Sequence, residues 1–499
     1  MLRLILGRAG SGKTHLALDT AIKIASSGKD VVFVVPEQFT FETERTLLES
    51  LGPSMCLHAE VLSFSRMATR VFELYGGRSG RAIDDCGRLL LMNRAVKQVR
   101  DMLKVYRSQA ESIAFSKKMV DTLSEFKYRG ISAADLLDVG RRAKDEALNF
   151  KLMDLSLLLQ TYDAMSSTLF MDSLDDLTRL SEKLEKHLFF QNKIVIIDAF
   201  KGFTSPQKEV IAHILQQSQD VYIALCVDGV RQNADEMGLF SPVRKTAREL
   251  IQMANHLGQQ VASPILLKEQ YRFSSSDLAA LEKNIFRVKH VCTEEIKNIH
   301  LISAENVYEE SQFVAQEISR LVQKENARYK DIVVISRGLS LYNGILDPIC
   351  KKYGIPLFLD AQRDLTSHPL MAFFLDALDA ITTDFRQEVV LRMLKTGLAG
   401  ITSVEIAELE NYLYTWNYQG IEAWNNEWTE HPDGIGKEKS ERSQRHLKGL
   451  NRLRERVLMP LKQLSCALET AESGSQKVLA LYNFLLSMRA EEQMTQMCT

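Results

Sequence analysis

The octet Gly7-Arg8-Ala9-Gly10-Ser11-Gly12-Lys13-Thr14 reads G-x-x-x-x-G-K-T, and few folds can accommodate it. A loop of this composition works between a strand and a helix. Its glycines let successive backbone N–H groups turn toward phosphate oxygens, and the helix N-terminus adds partial positive charge. The flanks fit that arrangement. Arg3-Leu4-Ile5-Leu6 is a short apolar run ahead of the loop, and His15 to Ile22 opens a helical pattern behind it. Lys13 is then placed to reach the outer phosphates, and the Thr14 hydroxyl to hold Mg²⁺. Motif and context point to nucleotide binding, with ATP and Mg²⁺ as the expected cofactors. They leave open what the nucleotide is used for.

At 499 residues the chain is expected to hold roughly two to four domains. Its 45% apolar and 25% charged content is that of an ordinary soluble globular protein. A net charge of −2 excludes wholesale electrostatic attraction to nucleic acid, so any DNA contact must come from a local patch. No apolar run approaches the roughly 18–20 residues of a membrane span, and no signal-peptide pattern is present. The expectation is a cytoplasmic protein with no membrane partner. Cys56, Cys86, Cys226, Cys292, Cys350, Cys466 and Cys498 include no C-x-x-C pair and read as reduced, mostly buried thiols. The histidines form no metal-ligand spacing, and His290 with Cys292 reads as structural.

The apolar pattern divides the chain. Asp30 to Val35 is a continuous β-branched run, as expected of a strand buried on both faces of a parallel sheet. Val61 to Phe64 reads as the next strand. Helical periodicity takes over from about Leu89 to Leu188, before strands return at Lys193–Asp198 and Val221–Cys226. The intervening stretch is too long for a loop and needs its own packing. A second α/β unit is expected from about His300. It has strands at Leu301–Ser303, Asp331–Ser336 and Tyr353–Leu359, and helices from Pro369 onward. No closing strand for that unit follows, so a truncated second domain is expected.

Asp198 ends an apolar strand, where a second phosphate-site motif places a carboxylate for Mg²⁺. The next residue is Ala199 rather than a glutamate that polarises the attacking water. Binding without efficient hydrolysis is therefore expected. Taken in order, a set of motifs resembles the AddB family, the B subunits of bacterial AddAB ATP-dependent helicase–nucleases. The motifs are Gly7–Thr14, Val35-Pro36-Glu37-Gln38-Phe39-Thr40-Phe41, Val61-Leu62-Ser63-Phe64-Ser65-Arg66, Ile196-Ile197-Asp198-Ala199-Phe200, Phe203-Thr204-Ser205-Pro206, Tyr353-Gly354-Ile355-Pro356 and Ser367-His368-Pro369-Leu370. Lys395-Thr396-Gly397-Leu398, Leu409-Glu410-Asn411-Tyr412 and Trp424 are also similar to that family.

The resemblance implies an α/β fold of P-loop RecA-like domains, as in superfamily-one helicases, with large helical insertions. On it, residues 1–88 and 189–290 form the first RecA-like domain and 89–188 its helical insertion. Residues 291–384 start the second domain, and 385–499 are its truncated helical insertion. It also implies a subunit that processes double-strand DNA ends for homologous recombination, in a heterodimer with an AddA-like motor and nuclease partner. A decayed helicase channel in such proteins reads the sequence Chi. Full-length members carry a C-terminal nuclease domain with an iron–sulfur (4Fe–4S) cluster. Neither its ligands nor a nuclease motif occur in this chain.

Gln38, Thr40, Phe64 and Arg66 follow the second and third strands, at the sheet edge where ligands of open α/β sheets bind. With the resemblance, they are expected to contact single-stranded DNA: Gln38 and Thr40 at base edges, Phe64 by stacking, and Arg66 at a phosphate. Phe200 and Phe203 are candidates for the same channel, although aromatics beside a sheet are usually core. Arg272, in Tyr271-Arg272-Phe273, resembles a degenerate helicase motif whose arginine touches the γ-phosphate. Lys437, Lys439, Arg442, Arg445, Lys448, Arg452, Arg454 and Arg456 form a basic stretch, read as a solvated helix rather than a duplex-contacting face. Two other classes stay open: a stand-alone small-molecule kinase with a helical lid, which needs only Gly7–Thr14, and a non-hydrolysing scaffold subunit.

Overall fold

A computed structural model describes residues 1–77, 80–230, 238–285, 296–359, 365–438 and 440–497. His290, Cys292, Lys439 and Cys498 lie outside the described residues. The chain forms two compact units, Met1–Ile302 and Ser303–Thr499.

Uninterrupted apolar runs make the strands of the first unit. They are β1 (Leu2–Gly7), β2 (Val31–Val34), β3 (Ala59–Leu62), β6 (Ile194–Ile197) and β7 (Asp220–Cys226), joined by the short β8 (Ile265–Leu267). They pair in the order β3-β2-β6-β7-β1-β8, every pair parallel. A parallel sheet needs cover on both faces. On one face Leu4, Val32, Val195 and Ile223 join Val71, Ile211 and Leu250 in the largest core. On the other, α1 (Lys13–Ser26) lays Ala17, Ala21 and Ala25 against Val31, Phe33 and Ile196. These small side chains bring the helix close to the sheet.

Between β3 and β6 the chain leaves the sheet. Helices Asp85–Val99, Ile113–Arg129, Ala133–Arg142 and Glu146–Leu169 enclose a separate core that includes Met92, Leu123, Leu158 and Tyr162. A two-stranded parallel sheet of β4 (Arg81–Ile83) and β5 (Phe170–Asp172) closes its base. Its strands are too short for periodicity to reveal. Asp172, whose side chain is 0% exposed, ties the insertion together. It accepts hydrogen bonds from Arg88 Nε and Tyr162 Oη, both at 2.9 Å, and from the Leu174 amide at 3.0 Å. Lys127 Nζ lies 3.9 Å away and bonds Asp175 at 2.7 Å. Burial pulls the Lys127 ammonium down, but the carboxylates of Asp175, Asp163 and Asp172 outweigh it and raise its pKa.

The second unit is mainly helical. Pro369–Thr382, Gln387–Leu394, Ser403–Trp416, Glu441–Thr470 and Gly474–Ser487 pack around Phe373, Leu409, Tyr412, Trp424 and Trp428. Capping boxes at Thr402, Ser440 and Ser473 fix three of the helix starts. The strands expected at 301–303, 331–336 and 353–359 do not form among the described residues. Leu301 is 99%, Ile335 86% and Phe358 89% exposed, so these runs are apolar without being packed. A short run pairs only when a neighbour satisfies its backbone groups, and these have none.

Two further expectations are corrected. Of the described cysteines only Cys350 is buried, and Cys86 and Cys466 are exposed. Within the basic stretch, Arg454 is buried and donates to the Trp424 carbonyl, so it is not part of any solvent-facing surface. The Arg445–Glu441 pair is the i,i+4 contact of a solvated helix.

Asp172→Ala should leave Arg88 and Tyr162 unpaired inside the insertion and cost about 3–5 kcal/mol. Urea denaturation followed by far-UV circular dichroism should show the loss. An unchanged midpoint would mean that Asp172 does not organise this core.

Candidate functional site

The site begins where β1 ends. Because β1 runs between β7 and β8, Gly7 is opposite both Cys226 and Leu267, and the loop emerges at the carboxyl edge of the sheet. A Cβ at Gly7 would overlap the Ser11 hydroxyl, so glycine is what lets the loop fold back on the strand. Gly10 and Gly12 have φ of 77° and 83°, a left-handed backbone that glycine adopts without steric cost. α1 then starts at Lys13 and aims its N-terminus into the loop.

The segment after β8 lies against this loop. The Tyr271 amide donates to the Gly10 carbonyl at 2.9 Å. A Cβ on Gly10 would come within 2.6 Å of both Arg272 Cβ and Gln270 Nε2. Arg272 is thereby brought to the loop, as its resemblance to a γ-phosphate arginine requires. Arg8 serves as a structural clamp: its Nε meets Glu282 Oε1 at 3.0 Å, and its Nη2 donates to the Glu282 carbonyl at 2.6 Å. A cavity of about 370 Å³, lined by Gly7, Arg8, Ser11, Leu267, Gln270 and Glu282, adjoins the loop.

Lys13 Nζ donates to the Arg8 carbonyl at 2.7 Å, so the ammonium is folded over its own loop. Burial lowers its pKa, while the negative charges of Cys226 and Asp198 oppose that shift. Two buried oxygens face no partner: Ser11 Oγ, on a residue 4% exposed, and Asp198 Oδ2, on a residue 3% exposed. Buried polar atoms are normally hydrogen-bonded, so this pair marks a place built for something polar. Asp198, at the end of β6, and Thr14, exposed in the first turn of α1, are residues that could hold a divalent cation. Ala199 follows with φ +66°, an uncommon conformation for a residue with a side chain.

The other candidates are placed less uniformly. Gln38 is exposed on the short turn Glu37–Phe39. Thr40 is 5% exposed and its hydroxyl donates to the Glu37 carbonyl at 2.8 Å, so it presents nothing to a base edge. Phe64 is also 5% exposed, with its ring 5.5 Å from Phe200 and 6.4 Å from Phe203. The three rings form one cluster beyond β3 and β6. The expectation that Phe64 offers a stacking face is corrected, because its faces are used in the core. Phe200 and Phe203 are half-buried beside it. Arg66 is half-exposed and paired with Glu44 at 2.7 Å. Sequence reasoning missed Phe41, 73% exposed two residues from the loop tip, and Gln270, Glu282 and Cys226 around the phosphate loop.

A six-stranded parallel sheet with a glycine-rich phosphate loop after β1 and a helical insertion defines an α/β protein of helicase-like fold. Residues 4–282 match the family described as ADDB, N-terminal, and residues 260–429 match the UvrD-like helicase C-terminal domain. The chain belongs to the AddB family. It is 33% identical over 502 residues to the B subunit of the ATP-dependent helicase/deoxyribonuclease of Caldanaerobacter subterraneus subsp. tengcongensis, covering 99% of this chain and 43% of that protein. The proteins of the same name from Acetivibrio thermocellus and Clostridium botulinum are 32% and 31% identical, each over 99% of this chain and 44% of the relative. The chain thus spans less than half the length of the curated relatives it matches.

Two glycines with the same backbone conformation separate space from conformation. Gly10 has φ 77° against Arg272 and Gln270, whereas Gly28 has φ 76° with nothing within 4 Å of a built Cβ. Gly28→Ala should cost about 1 kcal/mol for the left-handed backbone alone. Gly10→Ala should cost more, about 2–3 kcal/mol in total, by displacing the Gln270–Arg272 segment. Circular dichroism melts of the two variants compare them directly. Equal losses would mean that the segment does not press on the loop.

Proposed function

We propose that this chain is the helicase-like part of one subunit of an AddAB-type helicase–nuclease. It binds ATP and Mg²⁺ at Gly7–Thr14 and single-stranded DNA at the carboxyl edge of the sheet, in the processing of double-strand breaks for homologous recombination. The observation that carries this reading is the phosphate loop with unpartnered Ser11 Oγ and Asp198 Oδ2 beside Lys13. Backbone N–H groups of the loop cradle the phosphates, and Lys13 exchanges the Arg8 carbonyl for a phosphate oxygen. Bound Mg²⁺, held by Thr14 and Asp198, supplies charge neutralisation on the phosphates. Arg272 reaches the outermost phosphate from the segment packed on Gly10.

Ala199 provides no carboxylate to orient water, so the nucleotide acts chiefly as a bound ligand and the partner, an AddA-like subunit, supplies the motor. Gln38 reads a base edge and Arg66 exchanges Glu44 for a DNA phosphate, within a channel that recognises Chi. A small-molecule kinase accounts for Gly7–Thr14 alone. The helicase reading also accounts for the similarity of residues 260–429 to a UvrD-like domain.

Lys13→Ala should weaken ATP binding by well over tenfold, about 1.4 kcal/mol or more, in a direct titration. Unchanged affinity would remove the nucleotide assignment, and rapid ATP turnover by the isolated wild-type chain would contradict the role given to Ala199. For DNA, Gln38→Ala in the full complex should weaken the preferred sequence by about 1–3 kcal/mol and spare unrelated strands. Arg66→Ala should weaken all sequences alike and flatten the salt dependence. Indistinguishable variants would mean that these loops do not read DNA.

A further inference from the structure

Cys226 has no part in the reading above, yet it lies within the phosphate site. It ends β7 in register with Gly7, and the next residue, Val227, donates its amide to the Gly7 carbonyl at 3.1 Å. Among charged groups, Cys226 acts on the Lys13 ammonium more strongly than Asp198, Arg272 or Glu282. Its side chain is half-buried, unlike Cys350, which is enclosed. The surroundings are those of a reactive thiol: a cation at close range and partial access to solvent. A second observation, independent of the sulfur, shows that the neighbourhood is a ligand site. Ser11 Oγ, folded against Gly7, and Asp198 Oδ2 are buried there without partners.

We propose that Cys226 is a modification site built into the nucleotide centre, where a small disulfide forms a mixed disulfide that excludes nucleotide, and where bound nucleotide shields the sulfur. The inference rests on the nucleotide-binding reading of Gly7–Thr14. In the reaction, the Cys226 proton passes to solvent and Sγ attacks one sulfur of the incoming disulfide. That S–S bond breaks, the second sulfur leaves as a thiolate, and the electrons balance without a further oxidant. The attached group then occupies space beside Lys13 that phosphate oxygens need. No other described cysteine shares this position, which gives the test its internal references: Cys86 and Cys466 are exposed and lie on helices remote in sequence from the loop.

The experiment uses the whole chain and oxidised glutathione. ATP affinity is titrated first on untreated protein, and modification at each cysteine is then followed by peptide mass spectrometry with and without saturating Mg·ATP. Nucleotide should slow modification of Cys226 at least about tenfold and leave Cys86 and Cys466 unchanged, and the modified protein should lose at least about tenfold in ATP affinity. In Cys226→Ser, glutathione treatment should leave the variant's ATP affinity at its own untreated value. If untreated protein binds ATP but nucleotide does not protect Cys226, this inference fails and the nucleotide reading stands. The same holds if treated Cys226→Ser still loses affinity. If untreated protein binds no ATP, both fall together.

Discussion

The hydrogen bonding of β1 on both edges is the constraint on which the phosphate site depends. Parallel ladders to β7 and β8 satisfy its backbone groups and fix the height at which Gly7 leaves the sheet. A one-residue slip would invert the strand's faces and carry Leu2, Leu4 and Leu6 out of the core that buries them. Everything in the loop takes its position from that anchor: the fold of Ser11 onto Gly7, the seat of Arg272 against Gly10, and the start of α1 at Lys13. The same ladder brings Cys226 alongside. Its neighbours are therefore a property of the register and not of any local motif.

Much of the first unit could be read directly. Runs such as Val31–Val34 and Ile194–Ile197 are apolar without alternation, and only a strand covered on both faces uses such a run over four residues. β8 escaped notice because Ile265 and Leu266 are 39% and 50% exposed at the sheet edge, in a run of three residues. The opposite error occurred at 331–336. Its composition is that of β2, but a strand is a relation between segments, and the pattern of one segment does not contain its neighbour. Helices of the second unit were easier because capping boxes and apolar periodicity are both local.

The site divides along the same line. Gly7–Thr14 is contiguous, so its geometry follows from its own residues. Phe64 looked like a stacking platform because it follows a strand at the ligand-binding edge. Phe200 and Phe203 arrive from the far side of a long insertion and close over it. Thr40 was misjudged for a smaller reason: its hydroxyl satisfies the carbonyl of Glu37, a common competitor at the start of a helix. Gln270 and Glu282 are more than 250 residues from the loop they support, and only the packing of the completed sheet brings them to it.

The aromatic group at the centre of the second unit makes the protein optically asymmetric. Its three tryptophans, Trp416, Trp424 and Trp428, all lie in one short stretch of that unit. Trp424 and Trp428 are enclosed, with ring centroids 5.5 Å apart, and Trp428 stacks on Tyr412 at 5.2 Å. Intrinsic tryptophan emission therefore reports on the helical unit alone and is blind to the sheet that carries the phosphate loop. Two-unit unfolding should give a fluorescence transition that follows one unit and a circular dichroism transition that sums both. The gap between the two curves then measures how far the units melt independently.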